Sequence, residues 1–225
     1  MQSTRRTIPL LGFTLIEMAI VLVIIGLLLG GILKGQELIS NAKAKNLGND
    51  FRSIPLFLYG YQDKFRALPG DDPGVRAHLG AVSGLLAPTP ETVGNGRIEG
   101  LFNSISPTDE SLAFWQHIRL ANIAIGPIDF STATAIAMAL PRNSEGGRLG
   151  VQSVVPIAGM AGAFFVCSDA IPGKLAKQID IALDDGSTDT GAMRTMTSSY
   201  TGTEKRAEPT ESIANETPYI VCAAF

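Results

Sequence analysis

Two short acidic runs are the residues whose type and spacing best suit a ligand set. The first is Asp71-Asp72, and the second is Asp184-Asp185-Gly186 with Asp189 shortly after it. Carboxylate oxygens grouped in a short loop are the ligands that Ca²⁺ prefers. Acidic residues at such places also cap helices and form turns, and this alternative stays open. The calcium candidates are Asp184, Asp185 and Asp189, and no other cofactor is predicted.

No set of residues suited to catalysis accompanies these acids. The chain has 2 histidines, His78 and His117. His117 lies in a predicted helix, where a partly buried structural histidine is the ordinary outcome. The sequence lacks the Gly-x-Ser-x-Gly elbow of hydrolases, a Walker phosphate loop and a His-Glu-x-x-His zinc motif. We therefore predict that the protein is not an enzyme and has no catalytic residue.

A third feature with chemical consequences is a single carboxylate in an apolar segment. Residues 13–33 contain one charged residue, Glu17. A helix of about 20 residues spans roughly the 30 Å of a bilayer's hydrocarbon core. A carboxylate costs on the order of 2.5–3.5 kcal/mol at the centre of an inserted helix, so a simple anchor gains nothing from Glu17. The segment is too long for the core of a cleaved signal peptide, and a permanent single-pass anchor is the alternative.

The residues around Glu17 indicate a more specific class. Arg5 and Arg6 precede Gly12, and the sequence Phe-Thr-Leu-Ile-Glu follows it directly. This arrangement resembles the N-terminal segment of type IV prepilins and type II secretion pseudopilins. The resemblance implies that a prepilin peptidase cuts between Gly12 and Phe13 and N-methylates Phe13. It also implies a leader at 1–12, an N-terminal helix at 13–65 that is transmembrane at about 13–33, and an extracytoplasmic head at 66–225.

Cleavage would give Glu17 a physical role. In a bundle of such helices, its carboxylate can pair with the freed amine of Phe13 in a neighbouring subunit. The pair neutralises two charges, and leaving one of them alone in an apolar environment would cost several kcal/mol. Such a pair would fix the axial register of the helices, as a buried polar residue does in a coiled coil. We therefore expect Glu17 to act in assembly.

The distribution of charge predicts which side of the membrane each part occupies. Arg5 and Arg6 precede the apolar segment, so the positive-inside rule predicts a cytoplasmic N-terminus. The head would then be periplasmic after a single pass through the inner membrane. The formal net charge of the 225-residue chain is −3, which argues against a nucleic-acid partner.

The chain has two cysteines, Cys167 and Cys222, and both lie in apolar runs typical of strands. In an oxidising compartment an even number of cysteines indicates a disulfide, with two buried free thiols as the alternative. Closing this loop would stabilise the protein by roughly 4 kcal/mol in the chain-entropy model. The resemblance to pilins adds to the case for a bond, because pilins often link their C-terminal region in this way.

The periodicity of the chain predicts an α+β fold. Apolar residues at steps of three and four from Leu38 to Phe65 predict that the N-terminal helix continues and packs on the head, with a kink at Pro55. A second helix is predicted to begin at Ser106, as its N-cap, and to bury Ile125. Strands are predicted at 151–157, 163–167, 193–198 and 218–224, with a helix at 172–183 between them.

Further motifs extend the resemblance beyond the first helix. They are similar to those of one large pilin-like family of Gram-negative bacteria, and they identify no partner. The motifs are Leu68-Pro69-Gly70-Asp71, Gly94-Asn95-Gly96, Trp115-Gln116-His117, and Gln178-Ile179-Asp180 with Asp184-Asp185-Gly186.

These features lead us to expect a structural subunit of a type IV pilus or a type II secretion pseudopilus. The resemblance implies three partners: other pilins through the N-terminal helix, the prepilin peptidase, and the inner-membrane assembly platform. The mature subunit would move from the inner membrane into a periplasmic or cell-surface filament. Two alternatives stay open: a minor subunit that primes assembly or binds at the tip, and an anchored periplasmic binding module that never polymerises.

Overall fold

A computed structural model describes residues 14–80, 84–86 and 93–225. The fold is α+β, as predicted, with a long N-terminal helix and a four-stranded antiparallel sheet. The chain divides into two compact units, Met1–Asn41 and Ala42–Phe225, and the boundary falls within the first helix. The elements are α1 (Leu15–Phe65), α2 (Val75–Leu79), α3 (Glu110–Leu120), α4 (Ala133–Ala139), β1 (Leu149–Gln152), β2 (Phe165–Pro172), α5 (Gly173–Leu183), β3 (Met193–Thr197), a 3₁₀ turn (Thr210–Ser212) and β4 (Pro218–Ala224).

Helix α1 has 51 residues and continues through Pro55, which confirms the predicted length of the helix. Its N-terminal part includes an 18-residue window with a mean hydropathy of 2.7. By length and composition, this part of α1 could cross a membrane. The large apolar residues in the first half of α1 are exposed. Leu38 and Ile39 are among them, with 60% and 61% of their surface exposed. Leu38 and Ile39, the first residues of the predicted apolar stripe, belong to the first unit.

The second half of α1 supplies one wall of the core in the second unit. Five of its residues are almost fully buried and recur at steps of three or four, so they form one apolar stripe. This stripe packs in one cluster with α3, α5 and one face of the sheet, and the predicted packing is confirmed from residue 47 onward. The stripe residues are Leu47, Phe51, Ile54, Leu58 and Tyr61.

The sheet has strand order β1-β2-β4-β3, and every neighbouring pair is antiparallel. Because side chains alternate along a strand, β4 contributes to two different clusters. Val221 packs in the α1 cluster. Its neighbours Ile220 and Cys222 pack on the opposite face, in a smaller cluster with Phe102 and Ile157. The sheet is therefore apolar on both faces, with helices on one face and loop segments on the other.

Other chain segments pair with backbone groups in or next to both edge strands of the sheet. Beside β1, the Ser153 N–H donates to the Ile98 carbonyl at 2.9 Å. In β3, the Thr195 N–H donates to the Thr188 carbonyl, and the Thr195 carbonyl accepts from the Glu208 N–H, both at 2.8 Å. Paired edge groups cannot template the addition of a strand from another chain.

Three local predictions are wrong for physical reasons. Ser106 does not cap α3, because a turn closed by the Asp109 N–H on the Ser106 carbonyl at 3.1 Å precedes the helix. The helix then ends at Leu120, and Asn122 takes a left-handed conformation with φ 59°. Ile125 therefore lies beyond the helix and is fully exposed. The strands predicted at 151–157 and 163–167 are instead Leu149–Gln152 and Phe165–Pro172.

The structure contains the predicted disulfide between Cys167 and Cys222. The two residues are direct cross-strand partners on β2 and β4, the central pair of strands. Both cysteines are fully buried in the smaller cluster. The bond therefore reinforces the face of the sheet that no helix covers.

Replacing both cysteines by Ala is expected to lower the free energy of unfolding by about 2–4 kcal/mol, because the 55-residue separation leaves the unfolded chain with more conformations. Urea unfolding of the full chain in a mild detergent measures this loss. Wild type that is unfolded and refolded under reducing conditions is the control and should lose a similar amount. An unchanged midpoint in the double variant would contradict a stabilising role.

Candidate functional site

The predicted processing residues Gly12 and Phe13 lie outside the described residues. The part of the chain that follows them is described from Thr14, the residue before α1. Glu17, the predicted assembly residue, lies in the first turn of α1 and is exposed.

Thr14 and Glu17 form a reciprocal pair at the start of this helix. The Thr14 N–H and the Thr14 hydroxyl each donate to Glu17 Oε2 at 2.8 Å. In return, the Glu17 N–H donates to Thr14 Oγ1 at 3.3 Å. This arrangement is a capping box, which satisfies N–H groups that the first turn of a helix leaves without a partner. The prediction missed this role, although Thr-x-x-Glu is its signature in the sequence.

The capping box gives the Glu17 carboxylate a partner within its own chain. The carboxylate also lies near the helix N-terminus, where the helix dipole favours a negative charge. Both bonds from Thr14 end on Oε2. No described donor of this chain bonds to the other oxygen, Oε1.

A second set of polar residues lies in the second unit, in the segment that follows α1. The Asp71 carboxylate accepts the N–H groups of Gly94, Asn95 and Gly96. Gly94 and Gly96 have φ values of 81° and 80°, a region that favours glycine, so the Gly-Asn-Gly sequence can wrap around the carboxylate. Backbone donors therefore occupy the Asp71 carboxylate and hold the Gly-Asn-Gly turn against it.

Asp72 is also occupied by donors from its own chain. Its Oδ2 accepts the Tyr61 hydroxyl at 2.7 Å and lies 2.7 Å from Nδ1 of His78. Its Oδ1 accepts the Gly74 N–H at 2.8 Å. Phe65 stacks on the His78 ring with centroids 5.0 Å apart. Asp72 thus joins the end of α1 to α2.

His117 has a structural role that its hydrogen bonds define. The Gly70 N–H donates to Nδ1 at 3.0 Å, so Nδ1 is the unprotonated nitrogen. Nε2 therefore bears the proton and donates to the Leu86 carbonyl at 2.8 Å. Burial lowers the pKa of His117, which keeps the ring neutral. A fully buried ring with both nitrogens on backbone groups is poorly placed for acid–base catalysis.

Two carboxyl groups meet beside this region, and the sequence did not indicate them. Glu110, in the first turn of α3, is fully buried, and its Oε2 accepts the Glu99 N–H at 3.0 Å. Burial, together with a side-chain hydrogen bond to Glu99, raises the pKa of Glu110 to about 8. Burial also acts to raise the pKa of Glu99, but hydrogen bonds from Glu110 and Asn95 outweigh it and lower that pKa. Glu110 therefore holds the proton that the two groups share.

A third acidic group lies at the end of α5. One carboxylate oxygen from each of Asp180, Asp184 and Asp185 lies within 4.8 Å of the others. Asp184 and Asp185 were predicted calcium candidates, and Asp180 was not. Asp189 is not part of this group, and its carboxylate accepts the Ser187 hydroxyl at 2.9 Å. Burial, with the nearby charges of Asp184 and Asp185, raises the pKa of Asp180 to about 6.

We compared the chain with protein-family models, with curated proteins and with solved structures, and none of the three comparisons gives a match. The inference of function therefore depends on the residues themselves and on the resemblance that they show.

Changing Glu110 to Gln is expected to stabilise the protein at high pH more than at low pH. The pKa of Glu110 is about 8 in the folded chain and has the ordinary value of 4.5 in the unfolded chain. Between these two pH values the unfolded chain releases a proton that the folded chain keeps. Stability then falls as pH rises, until Glu110 ionises near pH 8. Glutamine does not ionise, so the variant avoids this loss of stability, and its amide can still bond to Glu99.

The measurement is the melting temperature of the full chain at about pH 5 and about pH 9. The difference between Glu110→Gln and wild type should be more positive at the higher pH. Glu204→Gln, at an exposed position, is the matched control and should show the same difference at both values. A pH-independent difference for Glu110→Gln would contradict the shared proton.

Proposed function

We propose that this protein is a structural subunit of a type IV pilus or a type II secretion pseudopilus. Prepilin peptidase would cut between Gly12 and Phe13, and the inner-membrane assembly platform would move the mature subunit into a helical filament. The observation that supports this most is the apolar first half of α1, which begins with a single carboxylate at Glu17.

The exposure of this apolar segment supports a membrane or filament environment. Apolar side chains from Leu15 to Leu33 are exposed, at 46% or more for each large one. An uninterrupted apolar surface of this length is unfavourable in water, so it needs a covering of lipid or of other apolar surfaces. A bilayer before assembly and neighbouring helices after assembly would supply that covering in turn.

The charge of Glu17 supports filament assembly over simple anchoring. An anchor is more stable without a carboxylate in its apolar segment. In a filament, the freed amine of Phe13 in a neighbouring subunit would pair with it and neutralise both charges. The pair would fix one axial offset between helices, so every subunit would enter at the same register.

The structure of the second unit supports an extracytoplasmic location for the head. A fully buried disulfide links the two central strands, and such bonds form and persist in oxidising compartments. Covered sheet edges also keep the head from joining other heads through strand addition. Assembly would then depend on α1.

The capping box favours a second candidate, an anchored periplasmic module that does not polymerise. Glu17 already has hydrogen-bond partners in Thr14. A carboxylate that caps its own helix has a function without any neighbour. The two candidates therefore differ in what they require of Glu17: the filament requires its charge, and the anchor requires only its capping bonds.

Two substitutions separate these requirements. Glu17→Gln removes the charge but keeps the capping box, because Gln serves at the same position. Thr14→Val removes the hydroxyl but keeps the charge and the shape of the side chain. If Glu17 pairs with an amine, filaments in shear fractions of the native host should fall by about tenfold or more in Glu17→Gln. They should persist in Thr14→Val. Electron microscopy and immunoblotting measure the yield.

Membrane insertion of each variant is the control, measured from the amount of chain in the membrane fraction. Normal filaments in Glu17→Gln would overturn the pairing role. Shear fractions of wild type that lack this chain would favour the anchored module. Intact-mass measurement of the native protein gives an independent test, because a chain that keeps residues 1–12 has no free Phe13 amine.

A further inference from the structure

An open cavity lies in the second unit, between the last turns of α1 and segments that follow it. Its volume is about 430 Å³, within the range of about 300–1,000 Å³ that is typical of small-molecule sites. Apolar residues line most of it, and they include Leu58, Leu68 and Phe164. Tyr59 meets the buried Phe164 ring edge-on, with centroids 6.1 Å apart. The cavity can therefore hold the apolar body of a ligand.

Three polar side chains line the same cavity from one face of α1 and its end. Tyr59, Gln62 and Arg66 follow one another at steps of three and four residues, which places them on one side of the helix. They span about 10 Å along the helix axis. Within the described part of the chain, none of these three side chains has a hydrogen-bond or ion-pair partner. All three can donate hydrogen bonds, so together they suit a ligand that offers acceptors.

The backbone at Arg66 shapes this site. Arg66 directly follows the last residue of α1 and has a φ of 60°, in the left-handed region that non-glycine residues adopt uncommonly. The chain therefore leaves the helix by a sharp turn, and Leu68 and Pro73 line the cavity from the segment beyond it. Arg66 is exposed, which leaves its guanidinium free to reach a ligand in the cavity.

The charges around the cavity leave Arg66 without a counter-ion. Asp71 is the other charged residue of the lining, and its two oxygens accept backbone N–H groups of the Gly-Asn-Gly turn. Arg97 reaches the cavity wall at the Ser153 carbonyl, 3.4 Å away, but its Nε lies 3.9 Å from Glu99. The guanidinium of Arg66 is therefore the group that a negatively charged ligand would meet, and its planar fork of donors matches a carboxylate.

We propose that this cavity binds a small carboxylic acid with an apolar body. The body would lie against Leu58 and Phe164, and the carboxylate would accept hydrogen bonds from Arg66, with Gln62 or Tyr59 as a further donor. An uncharged analogue would lose the charge-assisted bonds to Arg66, and an amine would be repelled by it. The proposal does not depend on filament assembly.

Titration of the full chain with 3-phenylpropanoate tests the proposal. The chain is placed in lipid nanodiscs, because detergent tails would compete for an apolar cavity, and empty nanodiscs correct for partition into lipid. A ligand with about ten non-hydrogen atoms should bind roughly in the millimolar range, so a titration to about 20 mM followed by ligand-observed NMR covers it. The uncharged analogue 3-phenylpropan-1-ol should bind about fivefold more weakly or worse.

Two variants test the position of the site. Arg66→Gln removes the charge and should weaken 3-phenylpropanoate binding by about fivefold or more, while binding of the alcohol stays unchanged. Ala67→Leu, at a half-buried lining position, should weaken both ligands because it fills part of the cavity.

Arg52→Gln is the matched control, because Arg52 is an exposed arginine of the same helix outside this cavity. It should bind 3-phenylpropanoate as wild type does. An absence of binding in wild type, equal binding of the acid and the alcohol, or an equal effect of Arg66→Gln and Arg52→Gln would overturn the proposal. Unchanged affinity in both Arg66→Gln and Ala67→Leu would do so too.

Discussion

Burial of one stripe of α1 is the interaction on which the structure of the second unit depends. A fully buried large apolar side chain contributes about 1.5–3 kcal/mol relative to an exposed one, and this stripe has five, from Leu47 to Tyr61. Helices α3 and α5 and one face of the sheet all pack against it in a single cluster. The same helix also includes the membrane-length apolar segment. One continuous element therefore has two kinds of apolar surface: the side chains of its first half are exposed, and a stripe of its second half is buried in a core.

Buried carboxylates help to fix the chain that follows α1. Asp71 and Asp72 are almost fully buried, at 2% and 0% exposure, and such burial is tolerated only where hydrogen bonds replace the lost hydration. Three backbone N–H groups do this for Asp71, and a tyrosine, a histidine and a backbone N–H do it for Asp72. Asp180 is equally buried, but the N–H groups of Gly186 and Ser187 only partly offset its lost hydration, and its pKa is raised to about 6.

The parts of the fold that local pattern determines were predictable from the sequence. The length of α1 follows from periodicity, and the helix ending at Leu183 and the strands at 193–197 and 218–224 follow from local residue pattern. The disulfide follows from an even number of cysteines in an oxidising compartment and from the resemblance to pilins. Helix α4 was not predicted, although it has a local signal: the Thr132 hydroxyl accepts the Ala135 N–H at 3.1 Å as an N-cap. Asp180 was missed for a different reason. Its spacing from Asp184 was visible, but its burial depends on how α5 packs. The start of α3 was wrong because a capping signal at Ser106 also suits a turn.

The observed cap of Glu17 is compatible with the proposed pairing if the two act at different stages. Under the proposed function, a subunit in the bilayer would have no neighbouring amine, and its carboxylate would need hydrogen bonds to lower the free-energy cost of that position. The capping box supplies them from Thr14, within the same turn, and uses Oε2. An amine arriving from a neighbouring subunit would meet Oε1 and could pair without first breaking the cap. Under the proposed function, the cap thus stabilises the waiting subunit, and the charge selects the register when the neighbour arrives. An apolar residue or a glutamine at position 17 would provide at most one of these.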